Sequence, residues 1–273
     1  IKDTPVLYIP WFSFPIDDRR KSGFLYPTFG SSNTEQGMYF STPYYLNLAP
    51  DYDATITPSY IHGRGAHTDL DLRHKSKLSD SQLILGYINE DKYYNNEQTA
   101  LGASANDSRW GVSFEQALQD HESGWFGKLK YNQVSDNDYL DDLNQGLSID
   151  REDNLDRRAE FDFAQDNWRL SLLLQQYKSI DDTVLASEQA YQRLPELNYE
   201  FDSIFKSLHL DWHSQYVYFY RDREELVGAE RTFGSRIRHK PKLSLPLSQS
   251  WGYLNPAVTL DHTDYFLQDY SPV

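Results

Sequence analysis

Apolar and polar side chains alternate most clearly along Leu208-His-Leu-Asp-Trp-His-Ser-Gln-Tyr-Val-Tyr-Phe-Tyr220. Successive side chains of an extended strand point to opposite faces, so Leu210 and Trp212 share one face and Asp211 lies on the other. The same period of two returns in Tyr52–Tyr60 and in most later segments. The sequence therefore predicts strands that are apolar on one face and polar on the other.

The connections between these strands alternate in length. About thirteen strands of about ten residues follow Gly23. Short breaks are predicted at 49–51, 79–80, 121–122, 166–167, 203–204 and 248–250, and long, acidic ones at 91–107, 135–156, 180–194 and 222–231. Short turns on one side and long loops on the other are typical of outer-membrane barrels. We predict an all-β fold, an antiparallel transmembrane β-barrel, and see no convincing helical periodicity in any segment.

Composition leaves a soluble protein open as an alternative. Hydrophobic residues make up 39% of the chain, which is ordinary for a soluble protein. A barrel strand, however, presents only every second residue to lipid, so its average hydropathy stays low. The 21 Tyr and 6 Trp residues suit the aromatic girdles at a membrane boundary, although a Tyr-rich soluble β-protein would share them.

The net charge is -15, and the sequence contains no basic stripe. Both observations argue against nucleic acid as a partner. Acidic runs at 136–142 and 181–182 are interpreted as solvated loop surface, with cation-bridged contact to lipid headgroups as a weaker alternative. The chain has no cysteine, and it begins at Ile1 without a signal peptide or initiator Met. We expect a processed product or a fragment, because an odd number of strands would leave the sheet unclosed and its edges exposed.

Two features stand out at the start of the chain. Val6–Phe14 is apolar on both faces and contains Pro10, which suggests a buried or edge strand of a separate module. Pro27 and Pro43 lie in the middle of the first two predicted barrel strands. Proline cannot donate a ladder hydrogen bond, so each weakens the sheet unless its missing N–H faces no partner. For a generic barrel we prefer the interpretation that each missing N–H faces no partner, since Pro58 is also in mid-strand.

No enzymatic or metal-binding pattern stands out. His209, Asp211 and His213 share a strand face and could offer metal ligands, but three polar residues lining a lumen explain them better. The run Asp261-His-Thr-Asp264 could belong to a catalytic set, and a strand end beside water explains it equally well. No nucleophile elbow, zinc-protease helix or phosphate loop is present. We expect no catalytic residue, no metal and no cofactor.

Two long runs resemble the LptD family of outer-membrane proteins that assemble lipopolysaccharide (LPS). They are Tyr8-Ile-Pro-Trp-Phe-Ser-Phe-Pro-Ile-Asp-Asp-Arg-Arg-Lys-Ser-Gly-Phe-Leu-Tyr-Pro27 and Pro43-Tyr-Tyr-Leu-Asn-Leu-Ala-Pro-Asp-Tyr-Asp-Ala-Thr-Ile-Thr-Pro-Ser-Tyr60. Lys130–Asp136 and Leu243–Ser248 resemble the family more loosely. The resemblance implies that residues 1–20 end a periplasmic jelly-roll domain and that 21–273 form the N-terminal portion, about half, of a very large barrel.

The resemblance also implies a function and partners. LPS would enter the outer leaflet of a Gram-negative outer membrane through a lateral gate between the first and last strands, with Pro27 and Pro43 weakening the seam. A lipoprotein plug, LptE, would fill the barrel, and the periplasmic bridge protein LptA would deliver LPS. Trp11, Phe12 and Phe14 would lie near the exit of the periplasmic lipid groove, because the N-terminus would be periplasmic. Unlike most members of the family, this chain has no cysteine.

Two other functions compete with this interpretation. A passive porin-like channel would conduct ions without a plug and would not need Pro27 or Pro43. A membrane-embedded hydrolase would place carboxylates and histidines at the loop rim.

Overall fold

The computed structural model describes residues 20–31, 38–102, 108–143, 147, 149, 154–181, 183–221 and 226–269. Trp11, Phe12 and Phe14 lie outside the described residues, as does the predicted jelly-roll segment 1–20 except for Arg20. The expectations placed on them stay predictions.

The described chain is built almost entirely of strands. They are β1 (Gly23–Phe24), β2 (Thr28–Ser31), β3 (Met38–Ser41), β4 (Tyr44–Asn47), β5 (Tyr52–Ile61), β6 (Gly65–Lys75), β7 (Ser79–Ile88), β8 (Arg109–Asp120), β9 (Trp125–Val134), β10 (Asn154–Gln165), β11 (Trp168–Ser179), β12 (Gln192–Phe205), β13 (Leu208–Tyr220), β14 (Phe233–Ser244), β15 (Leu247–Gln249), β16 (Gly252–Leu254), β17 (Ala257–Thr259) and β18 (His262–Gln268).

All but two of these strands form one antiparallel sheet, in which neighbours in the chain are neighbours in space. Counted as single broken strands, β1 with β2, β3 with β4, and β17 with β18 bring the described wall to thirteen strands, as predicted. The other two, β15 and β16, pair with each other in a separate hairpin.

The predicted alternation of connections is confirmed. Short turns at 48–51, 76–78, 121–124, 166–167 and 206–207 lie at one edge, the short-turn rim. Connections at 89–108, 135–153, 180–191 and 221–232 lie at the opposite edge, the long-loop rim, beside a tight turn at 62–64. Three predicted breaks are wrong: 79–80 begins β7, 203–204 lies within β12, and 248–249 lies within β15, in a longer connection at 245–256 on the short-turn rim.

The predicted all-β fold class is confirmed, with short helices as an unpredicted addition. The long connections contain α1 (Lys92–Ala100), α2 (Tyr139–Leu143) and a 3-10 turn at Gly228–Arg231. α1 is stabilised by its N-cap, since the Asp91 side chain accepts a hydrogen bond from the backbone N–H of Tyr94. Such short helices carry too little apolar periodicity to be recognised in the sequence. Within the described part of the chain, neither helix is long and apolar enough to cross a membrane.

One face of the sheet is apolar and remains uncovered. In register across four strands, Ile56, Leu70, Leu85 and Val112 line this face. Large apolar side chains stay exposed along the wall, with 45% of Phe161 and 42% of Trp212 accessible. Among the described residues no second layer packs over this face, which a soluble sandwich would require. The sheet has the two-faced composition of the wall of a transmembrane β-barrel, in which the apolar face meets lipid.

Aromatic side chains gather on this face at the short-turn rim. The ring centroids of Trp125 and Phe163 are 4.2 Å apart, and those of Phe163 and Trp168 are 5.1 Å apart. Trp168 also contacts Tyr199 on the next strand. This row has the position and composition of the aromatic girdle predicted from the Trp and Tyr content.

Candidate functional site

The first two wall strands are each broken at a proline. Pro27 separates β1 from β2, and Thr42 and Pro43 separate β3 from β4. β1 and β2 lie at an open edge, because among the described residues no strand pairs with their other side. The structure thus places both predicted gate prolines in neighbouring strands at this edge, which we call the first-strand edge.

The breaks in the first two wall strands differ in their number of residues. Phe24 is paired with Tyr44, and Thr28 is paired with Ser41. Three residues, 25–27, therefore face the two residues 42–43, which is the arrangement of a β-bulge. Pro27 lies within the longer segment. The bulge and the two prolines interrupt the ladder at the same depth.

Among the described residues, the backbone hydrogen bonds at this depth are single. Leu25 donates its backbone N–H to the carbonyl of Pro43 at 2.9 Å, and Thr42 donates to the carbonyl of Pro58 at 3.1 Å. Residues paired in this way normally exchange two bonds. Pro43 and Pro58 lack an N–H and cannot donate the second bond of the pair, although the nitrogen of each lies opposite its partner strand. The interpretation that the missing N–H faces no partner therefore does not hold for Pro43 or Pro58.

Below this break, a polar network fixes the short-turn end of the first strands. Arg20 pairs with Asp53 at 3.0 Å and also donates to the carbonyl of Pro50. Asn47 donates its side-chain amide to the Arg20 carbonyl at 3.0 Å, and its backbone N–H to the Ser22 hydroxyl at 2.8 Å. These contacts attach residues 20–22 to the second and third wall strands. We call this network the basal latch.

Buried charges occupy the long-loop rim beside the first strands. Arg64 donates to Asp91 at 2.7 Å and to Asp142 at 2.6 Å. Arg109 donates to Asp91, Asp142 and twice to Asp136, over distances of 2.6–2.9 Å. Neither arginine side chain is exposed. We call these two arginines and three aspartates the rim clamp. It joins the turn at 62–64, the N-cap of α1 and the start of β8 to the α2 segment, residues 136–143, through Asp136 and Asp142.

Tyrosine rings complete the rim clamp. The guanidinium of Arg64 lies 5.0 Å from the ring centroid of Tyr93, and that of Arg109 lies 4.0 Å from that of Tyr94. Stacking of this kind stabilises a desolvated cation. The helix α1 therefore contributes both a carboxylate and two aromatic faces.

The α2 segment packs onto the polar face of the sheet through a pair of glycines. Gly86 and Gly111 are directly paired on β7 and β8. A Cβ atom at Gly86 would collide with the Tyr139 hydroxyl, and one at Gly111 would collide with Leu147. The two glycines therefore form a depression, the glycine socket, that accepts α2. Burial raises the pKa of Tyr139 above its ordinary value of 10.0.

The histidines and aspartates considered from the sequence do not form a site. His213 lies 3.6 Å from Glu200, and Asp261 forms a bidentate pair with Arg238 at 2.8 and 2.5 Å. Within the described ranges, no group of three His, Cys, Asp or Glu side chains could hold a metal ion.

The sequence analysis missed the rim clamp and misjudged the acidic run beside it. Asp136 and Asp142 are largely buried and paired with arginines, so the interpretation of this run as solvated loop surface is wrong for them. Burial is tolerated because each carboxylate meets guanidinium donors. The glycine socket had a sequence signal, since glycine inside a strand often marks a close approach.

The fold and the first-strand edge define a class of protein: a transmembrane β-barrel whose described wall has an open edge broken by prolines. The family described as "LPS transport system D" matches residues 107–273, and the family described as "LptD protein" matches residues 1–114. The chain belongs to the LptD family. The description of the first family names transport.

Several relatives support this membership. The LPS-assembly protein LptD of Marinobacter nauticus is 43% identical over 99% of this chain, and that of Hahella chejuensis is 42% identical over 98%. The corresponding protein of Alcanivorax borkumensis is 35% identical over 98%. The alignments cover 34%, 33% and 33% of these relatives, so the chain spans about a third of the length of the curated relatives it matches.

Proposed function

We propose that this chain is part of an outer-membrane translocon that inserts LPS into the outer leaflet through a lateral gate. The gate would lie between the first wall strand and the strand that closes the barrel. The observation that carries the proposal is the first-strand edge, where, among the described residues, Pro27, Pro43 and a bulge leave a single backbone hydrogen bond, from Leu25 to Pro43, between the paired stretches. An unpaired backbone group in hydrocarbon costs several kcal/mol, so such a break is retained only where opening is useful.

The two faces of the wall suit the two parts of LPS. Acyl chains would pass sideways through the seam to the lipid, while sugars would cross along the polar face inside the barrel. A lipoprotein plug, LptE, would contact that polar face. LPS would arrive from a periplasmic bridge that includes LptA. Residues 1–20 would end the periplasmic jelly roll, with Trp11, Phe12 and Phe14 at its lipid exit.

A cross-link across the seam tests the proposal. In the full-length protein, a covalent link between position 29 and the closing strand should stop the delivery of LPS to the cell surface. The matched control links positions 172 and 197, which are paired within the wall on β11 and β12. Continued delivery with the seam locked would refute the lateral gate. Ion conductance without a plug, together with unchanged delivery, would favour a porin-like channel.

The prolines provide a second test. Replacing Pro27 and Pro43 together with valine restores two N–H donors and adds β-branched side chains, which favour the sheet. Surface delivery of LPS should slow in this variant while the amount of assembled barrel stays unchanged. Equal delivery by the variant and the parent protein would remove the prolines from the mechanism.

A further inference from the structure

We propose that Pro58 positions the gate by extending the break into the third wall strand, an inference that rests on the lateral gate proposed above. Pro27, Pro43 and Pro58 would then mark one crease across three neighbouring strands. The gate would open when the part of the first two strands above the crease tilts outward. The part below the crease would stay in place.

The register places the three prolines at nearly the same depth. Thr42, which precedes Pro43, donates to the carbonyl of Pro58, so these two strands meet at the break. Pro27 belongs to the bulged segment that faces 42–43. Among the described residues, each of the two seams between these three strands keeps one hydrogen bond where a regular pair has two. Fewer hydrogen bonds therefore restrain the strands along this line than at a regular level of the wall.

The next seam shows where the crease ends. β5 and β6 are paired at ten consecutive positions, from Tyr52 with His74 to Ile61 with Gly65. Pro58 has its nitrogen directed at the second strand, so it leaves this ladder uninterrupted. β6 is thus the first strand without a proline. The movable part is consequently bounded by the third wall strand rather than by the first.

The two sides of the crease are held differently. Below it, the basal latch ties Arg20 and Asn47 to the base of the second and third strands. Above it, β2 is joined to β3 by four residue pairs and β3 to β5 by three, without a side-chain network like the basal latch among the described residues of β2, and Phe29 is 81% exposed. The upper part lies toward the long-loop rim, which faces the outer leaflet if the N-terminus is periplasmic. Tilting there would open the seam on the side that receives the lipid.

Distance measurements in the full-length protein with its plug, in lipid nanodiscs, test the crease. Spectroscopic labels on unnatural side chains at Phe40 and Tyr87 report movement above the crease, and labels at Phe24 and Leu118 report movement below it. All four side chains are exposed. The upper distance should be broad or double, while the lower distance should be single. Replacing Pro58 with valine or alanine restores one donor and should reduce the open population about two- to tenfold.

Pro241 provides a matched control. It lies in β14, and Leu260 donates a single bond of 3.0 Å to its carbonyl, the same geometry as at Pro58. Pro241→Val should leave the upper distance and the rate of LPS delivery unchanged, whereas Pro58→Val should narrow the distance and slow delivery. If Pro58→Val and Pro58→Ala leave both unchanged while the seam cross-link still stops delivery, the crease is refuted and the gate is retained. Delivery through the locked seam would instead refute the gate itself.

Discussion

Replacing Arg109 with methionine should release both helical loops from the long-loop rim. Arg109 donates four hydrogen bonds to three carboxylates, and its side chain is fully buried. Methionine fills a similar volume without donors. Asp91 would then keep Arg64 as its cation, while Asp136 would lose its guanidinium partner.

The expected magnitude follows from the burial of these charges. Removing one partner of a buried ion pair costs about 3–5 kcal/mol, because the remaining charge is left without compensation. An exposed pair contributes about 0–1 kcal/mol. Since 1.4 kcal/mol corresponds to a factor of ten, local opening of the rim should increase more than about a hundredfold in Arg109→Met.

Hydrogen exchange in lipid nanodiscs measures this opening directly. Amides of α1 and α2 should exchange faster in Arg109→Met, while those of β11 and β12 should be unchanged. Arg73→Met is the control, since Arg73 pairs with Asp53 at 2.7 Å but is 47% exposed. If both variants accelerate exchange at α2 equally, or neither does, the rim clamp does not hold the loops. A partial return of protection in Arg109→Met with Asp136→Asn would support the charge argument.

Three further predictions concern the polar face and the lipid face. Gly111→Val should expel the α2 segment from the glycine socket, seen as loss of exchange protection at Tyr139, whereas protection kept at that site would contradict the socket. Because burial raises the pKa of Tyr139, its hydroxyl ionises at lower pH when α2 is undocked than when it is docked. Docking of α2 should therefore weaken above about pH 10. Tyr139→Phe should remove that pH dependence, and a variant whose α2 docking still weakens above about pH 10 would contradict the explanation. Leu172→Arg should destabilise the barrel by about 2–4 kcal/mol in urea titrations, and Ser171→Arg on the polar face by much less; equal effects would mean that Leu172 does not face lipid.

The alternation of side chains was enough to predict the wall, since apolar side chains recur at every second position along most strands, although Ile84 and Ile88 lie on the otherwise polar face of β7. The position of some turns could not be predicted. Polar residues such as Asp80 resemble turn residues but belong to a strand that faces an aqueous interior. The turn after β12 contains Lys206 with φ 57, a left-handed conformation that a lysine in the sequence does not predict.

The first-strand edge was partly predictable and the rim clamp was not. Pro27 and Pro43 are visible as prolines inside alternating segments, and their effect depends only on a missing N–H. The significance of Pro58 required the register, which shows Thr42 donating to it without a return bond. The clamp joins residues far apart in the chain, and no local pattern shows that Arg109 meets Asp136 and Asp142.

The rim clamp also bears on the order in which the barrel is assembled. Arg64 and Asp142 are 78 positions apart, with four strands between them. Arg64 can meet Asp91 once β6 and β7 are in place, whereas Asp136 and Asp142 come within reach of the two arginines only after β9 has formed. We therefore expect the clamp to close in two stages, so that a barrel stalled before β9 would have Arg64 and Asp91 paired but Asp136 and Asp142 still without a guanidinium partner.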